Sequence, residues 1–178
     1  FACHAHFDPE DPLASGLTLA DGRLTVRQIL DDLRLHADLV VLSGCETGQN
    51  RLHRGDELIG LVRAFIYAGT PSVLVSLWPV DDVSTGLLME TFYAHLLAGH
   101  SPAAALASAQ QTLRTLPTVA LRQRLIASGL SDRDAEAEIT RLRQAAAKLL
   151  AASFGPERLL AHPYYWAPFM LVGDRLAA

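Results

Sequence analysis

Cysteine is scarce: Cys3 and Cys45 are the only two among 178 residues. Two cysteines exclude the dense disulfide framework of a small secreted domain. No apolar run approaches the roughly 18 residues needed to span a bilayer. No basic-then-apolar leader opens the chain either. A reducing cytoplasm is therefore the expected setting, with Cys45 kept as a thiol and no membrane contacted. Positive charge is also thin. The formal net charge is −4 and the pI is near 5.9, so nothing electrostatic points to nucleic acid or an anionic surface as a direct partner. Fourteen arginines stand against the single Lys148, a compositional bias without functional content. Repeats and low-complexity tracts are absent.

Half of the residues are apolar and 19% are charged, the composition of a well-folded globular chain. The length suits one domain with a real core. The opening is unusual. Phe1-Ala2-Cys3-His4 lacks an initiator methionine and reads like the end of a buried strand. The expectation is a piece of a longer protein, with further strands upstream.

Residues 8–24 are rich in Pro, Gly and Asp and read as an exposed loop with turns. Thr25-Val26-Arg27-Gln28 has capping-box spacing, and Val26, Ile29, Leu30 and Leu33 follow with helical period. Leu39-Val40-Val41-Leu42 is a short, wholly apolar run, as expected of a strand buried on both faces. A helix opens at Gly55-Asp56 with Leu58, Ile59, Val62, Phe65 and Ile66 on one side, and Gly69 stands where a C′ glycine is expected. A second strand runs from Ser72 to Leu77, completing a βαβ unit with parallel strands.

Helices are then expected from Asp81-Asp82, carrying Leu88, Phe92 and Leu96, and from Ser101-Pro102. Residues 117–153 read as a helical pair broken near Ser128-Gly129, with Leu125, Ile139, Leu142 and Leu149 at helical spacing. Ala167 to Gly173 looks like a final strand. The fold class is α/β with a mostly parallel sheet.

Such sheets carry their sites at the carboxyl ends of strands. Three polar clusters fall there: His4-Ala5-His6, Ser43-Gly44-Cys45-Glu46 and Asp81-Asp82. A cysteine in a tight turn after a strand can aim its own N–H at a carbonyl oxygen. A histidine on a neighbouring strand end can hold that thiol as thiolate and later protonate the leaving amine.

Each residue also has a plainer reading. Cys45 fits a small buried side chain, and His4 a donor to backbone. Asp81 and Asp82 fit acids favoured at a helix N-terminus. His4 and His6 with a cysteine suggest zinc, but no second ligand pair has the usual spacing. No Gly-x-Gly-x-x-Gly or Walker word follows either strand, which argues against a nucleotide binder. Position and periodicity leave the function open.

The words themselves narrow it. Phe1 to His4, Leu19 to Gly22, Ala37 to Gly48, Gly55 to Phe65, Ser76 to Asp82 and His162 to Phe169 together resemble the CHAT domain, a caspase-like family often fused to TPR repeats. Residues 115–156 fall outside the resemblance and look like a helical insertion. The resemblance implies a caspase-like three-layer αβα sandwich, and a cysteine endopeptidase acting on a protein substrate under an upstream sensor or TPR region. It implies Cys45 as nucleophile, His4 as base, and an oxyanion hole from the backbone N–H groups of Cys45 and Ala5. No cofactor or metal is implied.

Ala5 departs from the glycine usual after the family histidine, which leaves a weak or inactive interaction module as the alternative. His6 is a substitute base, expected to face away from His4. Asp81 or Asp82 is expected to select Arg or Lys at P1, and the loop 49–54 to gate the cleft.

Overall fold

The computed structural model describes residues 1–43, 54–149 and 157–173, the side chains of 54–57 and 149 excepted. It is an α/β protein with two three-stranded sheets, and the chain divides into two compact units.

The first unit comprises Phe1–Val80, Gly99–Ala104 and Pro168–Ala178. Its smaller sheet joins β1 (His4–His6), β2 (Gly16–Leu19) and β3 (Gly22–Thr25) in antiparallel order. The stretch expected as an exposed loop thus holds two strands. Leu17 on β2 is buried and lies opposite Leu24, a pairing hidden in the sequence by the surrounding Pro, Asp and Gly. At Gly16 an added Cβ would sit 2.1 Å from the Leu24 carbonyl oxygen, so only glycine lets β2 and β3 approach this closely.

The capping box forms as the spacing predicts. Thr25 accepts from the Gln28 backbone at 3.2 Å through its hydroxyl, and Gln28 Oε1 accepts from the Thr25 N–H at 2.8 Å, starting α1 (Val26–Asp31).

The second sheet has the order β4 (Val40–Leu42), β5 (Ser72–Ser76), β6 (Phe169–Gly173). β4 and β5 are parallel, joined through α2 (Arg54–Tyr67), the expected βαβ unit. β6 returns antiparallel beside β5, so among the described strands only one pairing within an element ladder is parallel. Val40, Leu42, Val73 and Val75 bury one face of this sheet with Leu61, Val62 and Phe65 of α2 and Ala68 just beyond it.

Here the helical face differs from expectation. Val62 and Phe65 are buried, but Ile59 and Ile66 are 44% and 38% exposed. The buried stripe runs instead through Leu61, Ala64, Phe65 and Ala68, because small alanines let the helix approach the sheet. α2 closes in a Schellman turn: Gly69 N–H donates to Ile66 and Thr70 N–H to Phe65, at 3.0 and 3.3 Å, with Gly69 at φ +116°.

The second unit comprises Asp81–Ala98 and Ala105–Ala167. It holds α3 (Asp82–Leu97), most of α4 (Pro102–Thr115), α5 (Thr118–Ala127), α6 (Asp132–Leu149) and the single turn α7 (Pro163–Trp166). The expected break falls at Gly129, φ +104°, and α5 packs on α6. Leu88, Phe92, Leu125, Ile139 and Leu142 are buried as their spacing requires, while the side chain of Leu149 lies outside the described residues. Arg122 ties the two helices through Asp132 at 2.6 Å and Glu136 at 3.4 Å. No helix among the described residues is long and apolar enough to cross a membrane.

Candidate active site

The opening residues lie beside the strand that leads to Cys45. The Phe1 amino group donates to the Val41 carbonyl at 2.7 Å, and Ser43 N–H donates to the Phe1 carbonyl at 2.9 Å. That pair of bonds is the signature of a parallel bridge between Phe1 and Leu42. The Phe1 ring, 5.6 Å from that of Phe65, anchors it on α2.

From this bridge the chain continues into β1. Its alternation is exposed, buried, exposed: His4 and His6 face outward, while Ala5 is buried opposite Leu17. His6 therefore shares the face of His4, contrary to the expectation that it faces away. Residues i and i+2 of a strand lie on one side, and only the intervening residue turns to the other. His4 engages in a further interaction within the structure.

Phe1 (47% exposed) and half-buried Cys3 and Phe7 share one wall with Ala5. With Leu42 at the end of β4 and Ser76, Leu77 and Trp78 at the end of β5, they line an apolar pocket at the carboxyl ends of the two strands. Cys3 is a half-buried free thiol on this wall. Sequence reading weighed it only as a metal ligand, although its two-residue spacing from Ala5 already placed it on the inner face.

Cys45 lies outside the described residues, as do Gly44, Glu46 and the expected gating residues 49–53. The sequence distance is nonetheless fixed. His4 is three residues beyond Phe1, and Cys45 is three residues beyond Leu42.

Asp81 and Asp82 stand at the start of α3, in the second unit. The Asp81 carboxylate accepts from the Ser84 backbone N–H at 3.0 Å, making it the N-cap. It also pairs with Arg141 of α6 at 2.7 Å, with its side chain 9% exposed. Asp82 is exposed in the first turn. The anticipated plain role, an acid at a helix N-terminus, thus applies to both.

Burial acts to lower the Arg141 pKa, but hydrogen bonds to Glu138 and Asp81 outweigh it and the pKa is raised. Nearby, the Tyr165 hydroxyl is buried without a hydrogen-bond partner among the described residues. Burial first, and then the Asp81 charge, push its pKa above the ordinary 10.0. Neither Arg141 nor Tyr165 stood out in the sequence, because nothing local marks a charge that finds its partner sixty residues away.

His162 opens the last resembling word. Its Nδ1 accepts from the Tyr164 N–H at 3.2 Å, capping α7, while Trp166 donates to the Ala161 carbonyl at 2.9 Å. These bonds give the word a structural duty.

Comparison with known proteins agrees with this reading of the words. The model of the CHAT domain matches residues 1–174. Mouse tetratricopeptide repeat protein 28 is 39% identical over 92 residues, which is 52% of this chain and 4% of that protein. Its human counterpart is 38% identical over 92 residues with the same coverage. The chain therefore spans a small fraction of the curated relatives it matches, and it belongs to the CHAT domain family, a caspase-like group.

Proposed function

We propose that this chain is the dyad-bearing part of a cysteine endopeptidase, with Cys45 as nucleophile and His4 as base. The observation that carries the reading is the Phe1–Leu42 bridge. Along the chain His4 follows Phe1 by three residues, and Cys45 follows Leu42 by three. That geometry favours a histidine and a thiol meeting at the carboxyl end of the sheet. The apolar pocket beside it supplies a surface of low polarity for a peptide.

In the proposed reaction the Cys45 thiolate attacks the scissile carbonyl carbon. Backbone N–H groups of Cys45 and Ala5 receive the oxyanion. His4, protonated on taking the thiol proton, returns it to the leaving amine. Water then hydrolyses the acyl-enzyme with His4 as base. The three-layer caspase arrangement, with strands upstream of Phe1 completing the sheet, belongs to this reading. So do residues 115–156 as an insertion and control by an upstream TPR or sensor region. P1 selection by Asp82 fits its exposure better than selection by Asp81, whose carboxylate is engaged by Ser84 and Arg141.

One observation favours a second reading, an inactive interaction module. Ala5, in the place of the family glycine, is buried with its side chain in the core, which restricts how its N–H can turn.

The test is the alkylation rate of Cys45 against pH, followed by peptide mapping to separate it from Cys3, on the wild type and His4→Ala. A thiolate titrating well below about 8.5, and returning toward that value without His4, is the expected result. An ordinary titration indifferent to His4 would sink the peptidase reading in favour of the module.

A further inference from the structure

The inner face of the second sheet is unevenly covered. Val73 and Val75 of β5 are buried beneath α2. Their partners across the β5–β6 ladder are Val172 and Met170, which lie on the same face. Met170 is 41% exposed and Val172 only half-buried. Along the facing side of α2 the apolar residues Ile59 and Ile66 are exposed as well.

Helix and strand thus enclose a groove of about 320 Å³, floored by Val75 and Met170 and walled by Val62 and Ile66. A contiguous apolar surface contributed by two elements is the kind that marks a binding site. Scattered single exposures carry no such meaning.

Two further features say what occupies it. Among the described residues Arg63 is the one charged residue lining the groove. It is exposed and makes no ion pair among the described residues. The groove also shares Leu58, Val75 and Leu77 with the apolar pocket next to β1. A peptide held at the carboxyl ends of β4 and β5 can therefore run on into it without leaving apolar surface.

We propose that the α2–β6 groove is a docking site for the protein substrate, binding an apolar segment that carries one acidic side chain to Arg63. This rests on the peptidase reading and deepens it. Part of the substrate's affinity is then held away from the scissile bond, and selectivity depends on a segment remote from P1.

The test separates the two layers. A phage-displayed library of random 12-residue peptides is panned on the full-length protein, and the enriched peptides are measured by fluorescence anisotropy on the wild type, Met170→Lys and Arg63→Glu. All the substituted residues are exposed, and circular dichroism melts check that the fold is kept. The expected peptides combine apolar residues with Asp or Glu. They lose about tenfold or more in affinity with either variant, and exchanging their acid for lysine restores binding to Arg63→Glu.

Enrichment of peptides that ignore both substitutions, or no enrichment, overturns the proposal. Self-association of the wild type abolished by Met170→Lys also overturns it, in favour of a second copy as occupant. The final arm fuses an enriched peptide to a cleavable linker. Substrate docking predicts a lower KM that reverts in Met170→Lys with kcat unchanged. Groove-dependent binding with an unreactive Cys45 would instead refute the peptidase reading, and with it the assignment of the occupant as substrate, while leaving the peptide chemistry as measured.

Discussion

Asp81→Ala separates what this carboxylate does for the fold from anything it does for a substrate. The side chain makes two contacts that alanine cannot: the N-cap to Ser84 at 3.0 Å and the ion pair to Arg141 at 2.7 Å. Losing an N-cap costs typically about 1 kcal/mol. The ion pair is worth less than its length suggests, because the Arg141 side chain is 46% exposed and solvent screens it. About 0.5 kcal/mol is a fair discount. Arg141 is not stranded by the change, since Glu138 still accepts from it at 2.7 Å. The sum is about 1.5 kcal/mol, a fall in Tm of roughly 3–6 °C for a chain of this size.

Arg141→Met removes this pair and the exposed i,i+3 pair to Glu138 as well, and should cost about 0.8 kcal/mol in all. The double variant should exceed Asp81→Ala only by the Glu138 pair, about 0.3 kcal/mol, because the Asp81 pair is broken once in either case. Urea unfolding of the four proteins, read as midpoint shifts at constant m-value, measures the cycle. If Arg141→Met costs as much as Asp81→Ala, the pair and not the cap carries the stability and the reasoning fails. Loss of cleavage after a basic residue in Asp81→Ala that is not shared by Arg141→Met would point to a use of the carboxylate beyond the fold.

Tyr165→Phe should leave stability unchanged or raise it by up to about 1 kcal/mol, since it removes a buried hydroxyl without a partner among the described residues. The same variant has a pH signature. Burial and Asp81 raise the Tyr165 pKa above 10.0, so above that pH the folded chain holds a proton the unfolded chain releases. Stability is complete below about pH 10 and falls as pH rises toward the folded value. Urea midpoints between about pH 8 and 11 should slope less in Tyr165→Phe, and an equal slope would refute the assignment. Gly69→Ala should cost about 2 kcal/mol or more, combining φ +116° with a Cβ 2.6 Å from the Leu35 carbonyl. Thermal melts check it, and a near-neutral result would mean that the turn can be rebuilt.

Periodicity located what depends on near neighbours. The Thr25–Gln28 box, the break at Gly129, and the strands Val40–Leu42 and Ser72–Ser76 all follow from residues a few positions apart. β2 and β3 are hidden because a short three-stranded sheet with one half-covered face carries a weak alternation, amid Pro9, Pro12 and Gly22. The face of α2 was misjudged at Ile59 and Ile66. Hydrophobicity reports which residues favour burial, and small size decided which could be nearest the sheet. His6 shares the face of His4 because residues i and i+2 of a strand lie on one side, as the alternation of β1 shows.

The sequence by itself determined the family, the α/β order of elements and the residues proposed for the dyad, because these reside in contiguous words and local spacing. Tertiary structure decided which of those residues have other obligations. Only folding brings Arg141 against Asp81, sets Phe1 in register with Leu42, and leaves Met170 bare beside Ile66 while Val75 is buried. Charges and apolar faces find their partners through space, and the partner's distance along the chain is set by topology, not by any local preference.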